Sequence, residues 1–285
     1  MGKEASRSRI EHMIKERFDS PENNLGDGSG ERAWGEPLVA FASGADPIFD
    51  DYKVHVGPQH WTPAEVFQAT FGRRVDPETL TVITWLLPQT ESTKRDNAVM
   101  DQVPAERWAR SRVFGEQFNA NLRTYVQDTL NKEGIAAIAP MLSPDFRTET
   151  SERFQITSTW SERHAAYACG LGTFGLCDGL ITPLGKAVRF GTVVAEVRIT
   201  PDTRPYTNHR EYCLFASDGS CGDCIARCPA GALSKDGHDK SLCKAYLREI
   251  TASHVENEYG FKGYGCGLCQ TGVPCESGIP VRSVV

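Results

Sequence analysis

The sequence predicts an α/β (α+β) domain over residues 1–203, followed by a small cysteine-rich domain over residues 204–285. Two observations carry that division. Helical and buried-strand patterns alternate as far as about residue 200, the mark of a layered α/β structure. Beyond Pro201, cysteine, glycine and short turns dominate, and eight of the ten cysteines fall between Cys213 and Cys275.

The elements follow in order. Ser6 to Phe18 reads as a helix with Ile10, Met13, Ile14 and Phe18 on one face, and Asp19 to Glu36 as loop. Pro37 to Phe41 reads as a short buried strand. Thr62-Pro63 opens a helix, with threonine as its cap and proline in its first turn. Thr81 to Leu87 is apolar or β-branched almost throughout and predicts a buried strand ended by Pro88. A long helix runs from Ala105 to Glu133 on the stripe Phe114, Phe118, Leu122, Val126 and Leu130, with Gly134 after its end. Ile135 to Met141 predicts another strand. Glu162 to Cys169 predicts a helix leading into Gly170-Leu171-Gly172-Thr173-Phe174-Gly175, and Phe190 to Ile199 a further strand. In the cysteine-rich part, one helix is expected from Leu242 to Ile250, with Leu242, Tyr246, Leu247 and Ile250 inward.

Composition excludes several classes. Hydrophobic residues at 40 % and charged residues at 24 % describe a folded chain and not a disordered one. The net charge of −6 gives no electrostatic reason to expect nucleic acid or anionic lipid, although an isolated basic pocket remains compatible with it. No apolar run approaches the ~20 residues of a membrane helix. The opening Met1-Gly2-Lys3-Glu4 has no apolar signal core, and Met1-Gly2 with Ser6 fits only a short, common myristoylation pattern. The expectation is a cytoplasmic chain without membrane attachment.

Crowded thiols in a reducing compartment hold metal more often than they form disulfides. The first motif is Cys221-x2-Cys224-x3-Cys228-Pro229, with Cys213 upstream; the second is Cys266-x2-Cys269-x5-Cys275, with Cys243 upstream. Each half thus offers four thiolates, the set one [4Fe–4S] cluster requires. The Cys-Pro ending is that of bacterial ferredoxins, in which the cysteine before proline crosses to the other cluster. That rule assigns Cys213, Cys221, Cys224 and Cys275 to one cluster and Cys228, Cys243, Cys266 and Cys269 to the second. Paired structural zinc sites are the alternative for Cys-x2-Cys pairs; the Cys-x3-Cys-Pro ending and the equal sulfur counts oppose it.

A two-cluster ferredoxin-like segment does not need 200 residues before it. Glu162-Arg163, Gly170-Leu171-Gly172-Thr173-Phe174-Gly175, Leu180-Ile181-Thr182-Pro183-Leu184-Gly185 and Arg189-Phe190-Gly191 resemble the epoxyqueuosine reductase and reductive dehalogenase superfamily, most closely over residues 155–275. The resemblance implies a nitroreductase-like cofactor-binding domain followed by the double-cluster domain, with cobalamin bound between electron input and a small organic substrate. It also implies an external low-potential donor of ferredoxin or flavodoxin type. Gly170, Gly172, Thr173, Phe174, Gly185 and Arg189 are the candidate cobalamin contacts, and Glu162, His164 and Tyr167 the candidate proton-handling residues. Two departures matter. The aspartate that donates a proton in epoxyqueuosine reductases matches Ile156 or Thr157 here, and no counterpart of the tRNA-binding helical repeats follows Cys275. The expectation is a short branch with a substrate of its own and no nucleic-acid partner.

Plainer readings stand beside these. Gly170, Gly172 and Gly175 also suit tight turns, or a phosphate or flavin loop. Glu162 also suits a helix N-terminus, His164 an ordinary polar contact, Tyr167 and Trp160 core packing, and Arg189 the surface. Cys169 and Cys177 are either redox-active or small buried hydrophobes. A ferredoxin-type carrier that docks on a larger redox complex without a corrinoid is the alternative to an enzyme.

Overall fold

The computed structural model describes residues 6–153 and 155–281; the Met1-Gly2 pattern lies outside them. In chain order the elements are α1 (Arg7–Phe18), β1 (Leu38–Ser43), α2 (Ile48–His55), α3 (Pro63–Phe71), β2 (Leu80–Pro88), α4 (Glu91–Ala98), α5 (Glu106–Arg110) and α6 (Glu116–Lys132). Then come β3 (Ala137–Ile138), the hairpin β4 (Thr148–Ser151) and β5 (Gln155–Ser158), α7 (Glu162–Ala168), the small pair β6 (Thr173–Phe174) and β7 (Leu180–Ile181), and β8 (Val188–Glu196). The cysteine-rich part holds α8 (Leu214–Asp218), α9 (Asp223–Ala226), the pair β9 (Leu233–Ser234) and β10 (Gly237–His238), α10 (Lys240–Tyr246) and α11 (Ala252–Tyr259).

The central sheet runs β1-β2-β8-β3, and every neighbouring pair in it is antiparallel. Mixed helix and sheet are as expected, but the helices return the chain to antiparallel neighbours and not to parallel ones. Side chains alternate across strand β2: Leu80, Val82 and Leu86 enter one core, while Ile83, Trp85 and Leu87 enter the other. Burial on both faces explains why this strand reads as a continuous apolar run. Helices α1 and α6 cover the Trp85 face through Ile10, Ile14, Phe118, Leu122 and Val126; α3 and α7 cover the opposite face through Val66, Phe67, Ala165 and Ala166. Each large side chain buried in this way stabilises the fold by about 1.5–3 kcal/mol. Gly191 in β8 is a matter of space, since a Cβ there would lie 2.4 Å from the Trp85 ring.

Local signals mostly act where they stand. Ser6 caps α1, and Thr62 with Glu65 forms a reciprocal capping box on α3. The long helix predicted from Ala105 is one run interrupted by a π-helical turn at Ser111–Gly115, where the Trp34 indole N–H donates to the Gly115 carbonyl at 2.8 Å. The strand predicted over Ile135 to Met141 shrinks to Ala137–Ile138 because Pro140, lacking an N–H, opens a 3₁₀ turn. Leu242 and Ile250, expected inward, are 50 % and 48 % exposed. A π-helical turn at Leu247–Thr251 shifts the phase of that helix, and Thr251 and Val255 are buried instead. Helix α2 is not legible from periodicity, since only Phe49 and Tyr52 are buried on it. Among the described residues, no helix is long and apolar enough to cross a membrane.

The cysteine-rich part does not pack alone. Leu176, Cys177 and Ile181 share one apolar cluster with Cys213, Cys224, Leu233, Val273 and Cys275, so residues on both sides of 203 build it together.

Candidate active site and cysteine centre

All ten cysteines are free thiols. Cys213 caps α8, Cys224 lies in α9, and Cys221 stands three residues before it. Cys275 arrives from the far end of the chain, held where the Lys186 N–H donates to its carbonyl at 2.9 Å. Cys213, Cys221, Cys224 and Cys275 line one small cavity, walled also by Gly175, Leu176, Ile181 and Lys186. This is the first set of four that the crossover rule selects. In the second set, the charge environment of Cys266 is set chiefly by Cys243 and Cys228, while Cys269 is a hydrogen-bonding neighbour of Cys177 and lies near Cys266. Burial pushes the Cys224 thiol up to about 12 and the Cys266 thiol up to about 11. Bare thiolates are therefore disfavoured here, and a bound cation is what would hold these sulfurs deprotonated. Among the described residues, no three His, Cys, Asp or Glu side chains form a group that could hold a single metal ion.

Beside the cysteines opens a pocket of about 620 Å³. Tyr52 and His55 of α2, His164 and Tyr167 of α7, Phe174, the β5 residues Gln155 and Ile156, and the segment from Asp236 to Lys240 line it. Aromatic rings line it in contact: His164 lies 4.8 Å from Phe174 between ring centroids and Phe174 5.7 Å from Tyr167, both pairs tilted, while Tyr167 stacks at 5.0 Å on Tyr206 behind it. The Tyr52 hydroxyl donates to the His164 carbonyl at 2.8 Å, and the Ser161 hydroxyl meets the His164 Nδ1 at 2.8 Å. Burial, with help from His60 and Arg163, holds the His164 pKa well below the usual histidine value, so the ring is neutral at pH 7. Burial raises the Tyr167 phenol, which keeps its proton. The rim carries both signs, with Arg163, Arg210 and Lys240 against Asp51, Asp178 and Asp236. His238 lies 3.1 Å from Asp178 and is also a hydrogen-bonding neighbour of Cys243. This histidine joins the pocket wall to the second cysteine set.

The other predicted site residues lie elsewhere. Glu162 belongs to a buried network under the floor helix: Arg123 Nε donates to its Oε1 at 2.9 Å, and the Thr192 hydroxyl donates to its other oxygen. Burial outweighs those partners and pushes the carboxyl up to about 7. Arg189 is half-buried and lies 3.7 Å from Glu116 in the same network. Thr173 accepts from the Tyr212 N–H at 2.9 Å. Gly170, Gly172 and Gly185 all have positive φ, and a Cβ on each would meet this chain's own backbone at Thr203, Ile181 and Glu276. At Gly170 and Gly172 these contacts are those of tight turns. Of the six predicted cofactor contacts, Phe174 is the one on the wall of the large pocket.

Sequence reasoning missed Tyr52, His55 and Asp51, because α2 lacks an apolar stripe, and it gave no role to His238 or Lys186. A capless polar helix and a lone lysine after a turn carry no local signal. Ile156 lines the pocket, while the Thr157 hydroxyl donates to the Val56 carbonyl at 2.7 Å. Cys169 is buried against Thr84 and the Val82 carbonyl, and burial pushes its thiol up to about 12. It is a small core residue.

No family model matches this chain. An epoxyqueuosine reductase of Bacillus anthracis is 34 % identical over 129 residues, which cover 43 % of this chain and 31 % of that protein. The chain thus spans about a third of the length of that curated relative. Among solved structures, a catabolic reductive dehalogenase in complex with 3-bromo-4-hydroxybenzoic acid matches with a TM-score of 0.53 at 15 % identity, over 96 % of this chain and 37 % of that one. The epoxyqueuosine reductase of Streptococcus thermophilus matches with a TM-score of 0.50 at 15 % identity, over 97 % of this chain and 68 % of that one. At such identities the structural likeness concerns the fold alone. Sequence and fold together make the chain similar to the epoxyqueuosine reductase and reductive dehalogenase superfamily.

Proposed function

We propose that this chain, similar to the epoxyqueuosine reductases and reductive dehalogenases, is an iron–sulfur reductase of a small organic substrate. In this reading residues 1–203 form a nitroreductase-like substrate and cofactor domain. Residues 204–285 form a ferredoxin-like domain whose eight cysteines hold two [4Fe–4S] clusters. The observation that carries it is the convergence of Cys213, Cys221 and Cys224 with the distant Cys275 on one cavity. Nothing local in the sequence brings Cys275 there, and four thiols around one space suit one cubane cluster.

The pocket volume of about 620 Å³ lies within the roughly 300–1,000 Å³ common for small-molecule sites. Its aromatic lining and mixed polar rim suit a broad, amide-fringed ring, and a corrinoid is the cofactor we propose for it. When bound, that group would supply a metal centre able to accept electrons and deliver them to a substrate. The chain's own residues do the rest. Phe174 and Tyr167 offer the stacking surface, and Ile156 of the β4–β5 hairpin adds an apolar side chain to the wall. Tyr167, with its proton retained, is the proposed proton donor. Neutral His164, fixed by Ser161, orients the ligand and does not serve as a cationic acid. Glu162 acts one step removed, by anchoring the floor helix through Arg123 and Thr192. Electrons come from an external low-potential donor of ferredoxin or flavodoxin type.

An epoxyqueuosine reductase has been solved with an epoxyqueuosine-modified tRNA stem loop. A small molecule is the substrate proposed here, and offering tRNA in parallel tests that choice. The first experiment is anaerobic purification with iron, sulfide, zinc and cobalt analysis, and visible spectra before and after added cobalamin. About eight irons per chain with corrin uptake supports the whole reading. Iron without corrin uptake removes the corrinoid, and zinc in place of iron overturns the redox function.

A further inference from the structure

Lys186 is 3 % exposed, an unusual state for a lysine. Its backbone is pinned on both sides: its N–H donates to Cys275, and the following Ala187 carbonyl accepts from Gln89 at 2.8 Å. The left-handed turn at Gly185 seats this segment against the chain around Glu276, so the side chain starts in the first domain and runs into the cysteine region. There it lines the cavity of Cys213, Cys221, Cys224 and Cys275. Its ammonium is a charged neighbour of the Cys177 and Cys275 thiols. Its main charge partners are Cys177, Cys275, Cys269 and Cys224. Two of these, Cys275 and Cys224, belong to the first set of four, and Cys269 belongs to the second.

Burying an ammonium costs several kcal/mol unless negative charge faces it. Neutral thiols do not supply that charge, but thiolates bound to iron do. We propose that Lys186 is a positioning residue for electron transfer, the fixed counter-charge between the two thiolate sets, which raises the reduction potential of the centre held by Cys213, Cys221, Cys224 and Cys275. The physical reason is sign. Reduction adds a negative charge to the cluster, and a nearby cation in a medium of low dielectric favours the reduced form. The second centre, facing Lys186 through Cys269 alone, feels the charge less. This inference rests on the two-cluster reading above.

The test uses the anaerobically purified full chain as wild type, Lys186→Met and Lys186→Arg. Iron and sulfide are counted, and each centre is titrated with a reductant while followed by electron paramagnetic resonance. The expected result for Lys186→Met is full iron content with one centre at least tenfold less reduced at a given potential, about 59 mV for one electron. The other centre moves less, and Lys186→Arg stays near wild type. If Lys186→Met loses iron and Lys186→Arg retains it, the counter-charge is again supported. Unmoved potentials at full iron content overturn the proposal, and so does iron loss in both variants, which would mark a purely steric role. A wild type without iron removes the premise, a separate failure seen before any variant is compared.

Discussion

Gly185 and Glu276 meet so closely that a Cβ on Gly185 would lie 2.0 Å from the Glu276 carbonyl oxygen. Gly185 has φ of +80°, so a side chain there would be strained even in open space. The contact locks the Leu180 to Gly185 turn onto the stretch that carries Cys275. Gly185→Ala is expected to cost about 1–3 kcal/mol through overpacking and to lower the iron bound by the first cysteine set. Thermal melts with iron analysis check this; a variant with native stability and full iron would show that the contact is not required.

Serine substitutions test how the thiols divide. Cys224→Ser or Cys275→Ser should drop iron from about eight to about four atoms per chain, and Cys266→Ser should do the same through the other centre. The double variant Cys224→Ser with Cys275→Ser should lose no more than either single one, since both remove the same cluster. Additive losses would mean that Cys275 serves the second centre.

Cys177 neighbours Cys269 and Lys186 but belongs to neither set of four. Cys177→Ala is expected to retain about eight irons, as the counts leave no position for a ninth thiolate. A variant that binds only about four would make Cys177 a ligand in place of Cys269.

His60 is 1 % exposed, and its Nε2 has no hydrogen-bond partner among the described residues. Burial lowers its pKa to about 4. The folded pKa is below the unfolded value near 6.5, so His60 favours unfolding as pH falls from about 6.5 to about 4. At one pKa unit per 1.36 kcal/mol, the loss reaches about 3 kcal/mol at the acid end. His60→Gln should flatten that part of the stability curve, measured by denaturant unfolding at several pH values. An unchanged slope would place the acid sensitivity in other groups.

Tyr167→Phe keeps the stacking surface and removes the only proton that residue could give. Turnover of a substrate found by anaerobic screening should fall by about 10²-fold or more, with cobalamin uptake unchanged. Phe174→Ala should do the reverse, weakening uptake through the lost floor. If Tyr167→Phe turns over at the wild-type rate, another pocket residue delivers the proton.

By itself the sequence determined the features that depend on neighbours along the chain. The caps of α1 and α3, the buried strand β2 and the stripe of α6 arise within a few residues, so spacing reveals them. The short Cys-x2-Cys and Cys-Pro motifs are local in the same sense, which is why the eight cysteines proposed to hold clusters can be picked out with no knowledge of the fold. Tertiary structure decided what depends on distant partners. The strand order, the inward helix α2, the exposure of Leu242 and Ile250, and the meeting of Lys186 with cysteines up to 89 residues away carry no short-range pattern. The glycines show the division within single residues. Their left-handed turns follow from residue type, whereas what each one packs against, Thr203, Ile181 or Glu276, is set by segments that only folding brings near.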